Sequence, residues 1–152
     1  SVWPHDNGLI AMGFKRYGFG EEAAMIARDI SEAGQYFLFN RLPELYAGIE
    51  RGPGTFPVQY LGANVPQAWA AGSVFHLLRA ILGLDADAPK NRLYVDPLLP
   101  AWLPDLTLRR LRVGKATLDL RFWREGTVTR HEVLAVEGEV HVEARDASGT
   151  NQ

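Results

Sequence analysis

The chain has 152 residues, of which 47% are hydrophobic and 22% charged, and a formal net charge of −2. That balance excludes a disordered tail and supplies enough chain for a sizeable core. It argues against a nucleic-acid binder, which would carry a basic face. The absence of cysteine excludes disulfides and thiolate metal sites.

The first predicted element opens at Asn7-Gly8 and carries Leu9, Ile10, Gly13, Phe14 and Tyr17 at helical spacing. Asp6 or Asn7 is the expected cap, because a short polar side chain accepts bonds from first-turn N–H groups. Gly18 is the expected stop. A second helix is expected from Glu21 to about Phe39, with Ala23, Ile26, Ile30, Ala33 and Phe37 as its apolar stripe. Residues 40–65 hold Pro43, Gly48, Gly52, Pro53, Gly54, Pro57 and Gly62, which forbid a long regular element. A loop of this length inside a domain points to function. A third helix is expected from Pro66 to about Leu82, with Gly83 as its stop. It is apolar on nearly every face, so it is expected to be buried on most sides. Gly72, Ser73, His76 and Arg79 interrupt it, and no apolar run approaches the ~20 residues of a membrane span.

The chain changes character near Pro89, and from about Arg92 onward the period becomes two. Ala116, Leu118, Leu120 and Phe122 alternate with Thr117, Asp119, Arg121 and Trp123. Gly114-Lys115, Glu125-Gly126 and Gly138 are turn signals. These predict an antiparallel sheet of about four strands over 106–144, entered through a strap containing Pro97, Pro100 and Pro104. The expected organisation is a helical part, 1–88, and a strap with β-structure, 89–152. Three helices and one long loop close a core poorly, so the chain is expected to be a piece of a larger helical assembly. No basic segment followed by an apolar one opens the sequence, which gives an expectation of no signal peptide and a cytoplasmic setting.

Three short stretches carry chemistry. Trp3-Pro4-His5-Asp6-Asn7 places an aromatic ring, an imidazole, a carboxylate and an amide at the mouth of a helix. Sugars offer hydroxyls to polar groups and C–H faces to aromatic rings, and this stretch suits both. Helix capping by Asp6 and Asn7 explains it equally well. Arg41-Leu42-Pro43-Glu44-Leu45-Tyr46 sets one carboxylate between two leucines, where apolar surroundings would raise its pKa and suit it to acid–base work. A glutamate that merely starts a helix after Pro43 is the simpler account. Gln67 and Trp69 fall in the first turn of the third helix, where they either line a pocket or cap and pack. His76 reads as a core histidine, and Arg109, Arg110 and Arg112 as a solvated strand face. The histidines lack metal-ligand spacing, and no phosphate loop or nucleophile elbow occurs, so neither metal nor cofactor is expected.

In order, SVWPHDNGLIAMGFKRYGF, RLPELYAG, VPQAWAAGSVFHLLRAILGL and LPDLTLRRLRVGKATLDLRFWRE span most of the chain. This set resembles the C-terminal end of bacterial glycogen-debranching-enzyme-like proteins. These are glycoside hydrolases of the amylo-alpha-1,6-glucosidase type, related to the mannosylglycerate hydrolase-like group. The resemblance implies a mainly α fold: the last helices of an (α/α)6 toroid, followed by a small C-terminal antiparallel β-structure. It implies inverting hydrolysis of an α-glucosidic linkage, with an oligosaccharide or α-glucan as substrate and Glu44 as general base. Trp3, His5 and Asp6 would line the sugar site, with Asp6 on glycosyl hydroxyls, and Gln67 and Trp69 would form the pocket wall. The family's general acid, an Asp in a Trp-Lys-Asp-like motif, has no counterpart here, so this chain alone is expected to hydrolyse its substrate very poorly, the leaving alkoxide going unprotonated. That departure leaves two further expectations open: a non-catalytic carbohydrate-binding module, or a fragment that completes a barrel with upstream helices or by self-association.

Overall fold

The computed structural model describes residues 1–145. They contain three α-helices, α1 (Pro4–Arg16), α2 (Gly20–Gly34) and α3 (Ala68–Leu82). Six strands follow: β1 (Asp85–Asp87), β2 (Arg92–Val95), β3 (Asp105–Val113), β4 (Ala116–Glu125), β5 (Val128–Glu137) and β6 (His141–Ala144). The chain divides into two compact units, residues 1–80 and 81–152, and the division falls inside the last turns of α3 rather than at Pro89. No helix of the described residues is long and apolar enough to cross a membrane.

The expectation of a mainly α chain carrying the last helices of an (α/α)6 toroid is overturned. About 34% of the chain is helix and about 30% strand, the strands forming two three-stranded sheets. Three helices build no toroid; α1 and α2 run closely side by side.

In the first unit, α1 begins at Pro4, earlier than expected. Trp3 occupies the cap position without a side-chain cap bond, so neither Asp6 nor Asn7 caps the helix. Asn7 lies inside the first turn, and its Nδ2 donates to the Trp3 carbonyl at 2.8 Å. α2 stops at Gly34 instead of running on to Phe39. The chain turns through left-handed Phe39 and Asn40, and Phe37 leaves the helical stripe to meet the Tyr46 ring edge-on at 5.7 Å. The buried stripe of α2 is Ala23, Ala24, Ala27, Ile30 and Ala33. α3 starts at Ala68 and is not buried all round: Ala70, Ser73, Leu77 and Ala80 are covered, while Trp69, Val74 and Phe75 are exposed. Its close neighbour is α1, where Gly8 comes so near that a Cβ there would lie 3.1 Å from the His76 Cβ.

The long connection at 40–65 is stitched by main-chain bonds. Tyr46 sits between Val2 and Gln59, exchanging both bonds with Val2 at 2.9 and 2.8 Å. Ala47 donates to Val58 at 2.8 Å, and Tyr60 to Leu45 at 3.1 Å.

In the second unit, β3, β4 and β5 form an antiparallel meander. Gly114 and Gly126 sit at its turns with positive φ, as the turn signals required. Phe122, Leu120 and Leu118 on β4 are fully buried and form the core of this unit with Leu82, Leu93, Val95 and Leu99. The fourth expected strand does not join this sheet. β6 pairs in parallel with β2, which pairs antiparallel with β1, giving the order β1-β2-β6. β1 and β2 lie outside the expected sheet over 106–144; β1, Asp-Ala-Asp, falls in the part expected to be helical, and β2 ends just before Pro97.

Candidate functional site

The start of α1, the connection at 40–65 and the start of α3 lie in one unit and meet at a cluster of rings and polar groups. Trp3, His5 and Trp69 form its aromatic part. His5 stacks on Trp69 with centroids 4.8 Å apart and planes at 22°. Trp3 stands edge-on to both, at 5.5 Å from His5 and 6.4 Å from Trp69. Such edge-to-face and offset pairs satisfy the ring quadrupoles. Trp69 is half exposed, so one indole surface stays open to a ligand.

Glu44 is not at the start of a helix. It lies on the connection at 40–65, where its N–H donates to the Asn64 carbonyl at 2.9 Å. Asn64 answers with two donors to Glu44 Oε2, its main-chain N–H at 3.2 Å and its side-chain Nδ2 at 2.9 Å. The local sequence permits this: the short turn at Leu38–Asn40 ends at extended Arg41, and Gly62, with φ +85°, turns the returning chain toward Glu44. The Asn64 main-chain bond holds the Glu44 carboxyl below its ordinary range. Desolvation opposes this, while the Asn64 side chain, the Gln67 side chain and the charge of His5 add to it. The expectation of a pKa raised by flanking leucines is therefore reversed. Leu42 and Leu45 are buried, but they point into the core and leave the carboxylate among donors.

The remaining expected residues are placed as follows. Gln67 accepts at Oε1 from the Ala68 N–H at 3.2 Å, so it helps to start α3 and also reaches Glu44. Asp6 is exposed and pairs with His5, its Oδ1 lying 3.1 Å from Nε2. His5 Nδ1 is buried without a hydrogen-bond partner. Glu44, His5, Gln67, Trp3 and Trp69 thus come together, and Asp6 joins through His5. Asn64 was missed. It is twenty residues from Glu44 in sequence, and nothing in the sequence signals that contact.

His76 lies half-buried beside α1, with Nδ1 buried and unpartnered. Arg109, Arg110 and Arg112 are all exposed on β3. Among the described residues, no group of three or more His, Cys, Asp or Glu side chains is placed to hold a metal ion. Comparison of the sequence with protein-family models and with curated proteins finds no match.

Proposed function

We propose that this cluster is a carbohydrate site and that Glu44 is the general base of an inverting glycoside hydrolase acting on α-glucosidic linkages. The observation that carries the reading is a carboxylate held by two donors beside a partly open aromatic wall. Sugar rings place their C–H faces on aromatic surfaces and their hydroxyls against amides and carboxylates. Trp69 and Trp3 offer the first kind of contact, and Gln67 and Asp6 the second.

In an inverting reaction, a carboxylate takes a proton from the attacking water while an acid protonates the leaving oxygen on the opposite face. A base must start deprotonated. Glu44 meets that requirement at neutral pH, because Asn64 stabilises its charged form. The two Asn64 bonds also fix the carboxylate, with both donors on Oε2, so that Oε1 has lone pairs left to receive a proton. The cost is a weaker base, so positioning and not basicity must do most of the work. Asp6 is engaged by His5 and is not assigned as the acid, a role left to residues outside this sequence. Such chemistry calls for no cofactor, and an intracellular glucan would place it in the cytoplasm.

The test is hydrolysis of branched malto-oligosaccharides by the intact native protein carrying Glu44→Gln, with binding measured calorimetrically. Turnover is expected to fall about 10²–10⁴-fold with affinity little changed, whereas Trp69→Ala should weaken binding about tenfold. Undiminished turnover in the Glu44 variant would remove it from the chemistry. Binding without hydrolysis in the unmodified protein would assign the cluster to a non-catalytic carbohydrate module.

A further inference from the structure

The meander has two edge strands, and they are finished differently. An edge strand presents unpaired N–H and C=O groups, which proteins guard with charges, bulges or cover. β3 is guarded. Its pairing with β4 is interrupted between Leu108 and Leu111, where Arg109 and Arg110 stand opposite Asp119. Arg110 takes φ +55° there, and its N–H is turned back to Asp119 Oδ1 at 2.7 Å. Arg109, Arg110 and Arg112 are exposed along this edge.

β5 has less protection. Among the described residues it pairs with β4 alone. From Val128 to Val133 its register with β4 is regular, and the one irregularity comes afterwards, at Leu134. Val128, Val133, Leu134 and Val136 are 40–50% exposed, at 50%, 43%, 47% and 44%. Val133 and Val136 lie beside Leu120 and Leu118, which are buried. The apolar face of the sheet therefore continues to its open edge.

We propose that this edge is a strand-addition surface whose occupant is β5 of a second copy of the chain, paired antiparallel about a two-fold axis at His131. The choice of occupant rests on charge. If the axis is perpendicular to the sheet, the apolar faces of both copies stay on one side, and the axis must pass through a residue. Centred on His131, the pairing sets Arg130 opposite the partner's Glu132 and Glu132 opposite the partner's Arg130. It also sets Thr129 opposite the partner's Val133. Centred on Arg130 or Glu132, it would set that charge against itself, which destabilises a cross-strand pair. The regular stretch before Leu134 is thus self-complementary in one register. Arg130 and Glu132 are both exposed, and Arg130, now 3.1 Å from Glu125, can exchange partners. The result is a continuous six-stranded antiparallel sheet with main-chain bonds across the axis.

The test is sedimentation equilibrium of the whole chain over a wide concentration range, with hydrogen exchange read at the β5 amides. A concentration-dependent dimer is expected, with slower exchange at outward-facing amides of residues 128–133. Glu132→Arg sets Arg against Arg twice in each dimer and should weaken association about tenfold or more. Adding Arg130→Glu restores both pairs with reversed polarity and should recover most of the affinity. Both positions are exposed, and circular dichroism verifies that the variants fold. A monomer at every concentration overturns the proposal. So does a dimer indifferent to Glu132→Arg, which would be held by another face, or a doubly exchanged variant that stays monomeric.

Discussion

Two side chains in the first unit, Glu44 and Tyr46, show how a group's partners decide its chemistry. Glu44 has donors on Oε2, so its charged form is favoured and its pKa lies below 4.5. Folding through this group is therefore favoured fully above pH 4.5, and the contribution fades as pH falls through the lower folded value. Glu44→Gln is expected to flatten the acid limb of stability below pH 4.5, as read from urea midpoints against pH. Tyr46 is the opposite case. Its hydroxyl is buried without a partner, and burial pushes its pKa up to about 12. The unfolded phenol ionises near 10 and the folded one near 12, so stability should fall as pH rises through that interval. Tyr46→Phe removes the orphaned hydroxyl and should stabilise the fold by about 1 kcal/mol at neutral pH. It should also abolish the alkaline loss, and melting curves at pH 7 and 11 measure both. At this scale the sequence showed that Glu44, His5, Gln67, Trp3 and Trp69 are worth watching. It did not show the direction of the Glu44 shift. That depends on Asn64, whose approach is set by the path of the chain through Gly62 and not by any local pattern.

Elements were legible where they are held by local rules and obscure where their partner is distant. The end of α3 follows such a rule. Gly83 takes φ +59°, and a Cβ there would lie 2.5 Å from the Asp96 carbonyl oxygen, closer than real Cβ atoms come. The crowding neighbour is backbone, held by the Asp96 N–H donating to the Leu82 carbonyl at 3.1 Å, so it cannot yield cheaply. Gly83→Ala should destabilise the second unit by about 1–3 kcal/mol from the left-handed conformation alone, with the clash adding to it. An unfolding midpoint unchanged from that of the parent chain would contradict this account of the turn. The alternation of β4 and the glycines at its turns likewise located the meander. Alternation tells which face a residue occupies but not which strand lies beside it. β6 has the same pattern as its predecessors, yet pairs in parallel with β2, across some fifty residues of chain. Charged β1 carried no apolar signal at all, and the early end of α2 followed from Phe37 packing on Tyr46, a contact made only in the folded chain.

At the scale of the whole molecule, the two units are built from different material. The core of residues 1–80 is largely alanine: Ala11, Ala23, Ala24, Ala27, Ala33, Ala70 and Ala80, with Ile30, Leu42, Leu45, Tyr46 and Leu77 as its larger members. Many of its large apolar residues, including Leu9, Ile10, Tyr17, Phe39, Leu61 and Phe75, are exposed. The core of residues 81–145 is Phe122 with leucines and valines, nearly all fully covered. Burial yields about 25 cal/mol per Å² of apolar surface, and an alanine methyl supplies far less area than a leucine or phenylalanine side chain. The helical unit therefore has the smaller driving force per residue, and the two units should open separately. In a urea titration of the whole chain, far-UV circular dichroism at the helical minimum is expected to fall first. Hydrogen exchange at β3–β5 amides should respond only at higher denaturant. Phe122→Ala should lower the second transition by about 3–5 kcal/mol and leave the first midpoint where it was, because the deleted ring packs in the sheet's own core. Coincident transitions by both probes would mean that the chain unfolds as one cooperative body. In that case Phe122→Ala should shift both together, so the same variant distinguishes a chain of two stabilities from a chain of one.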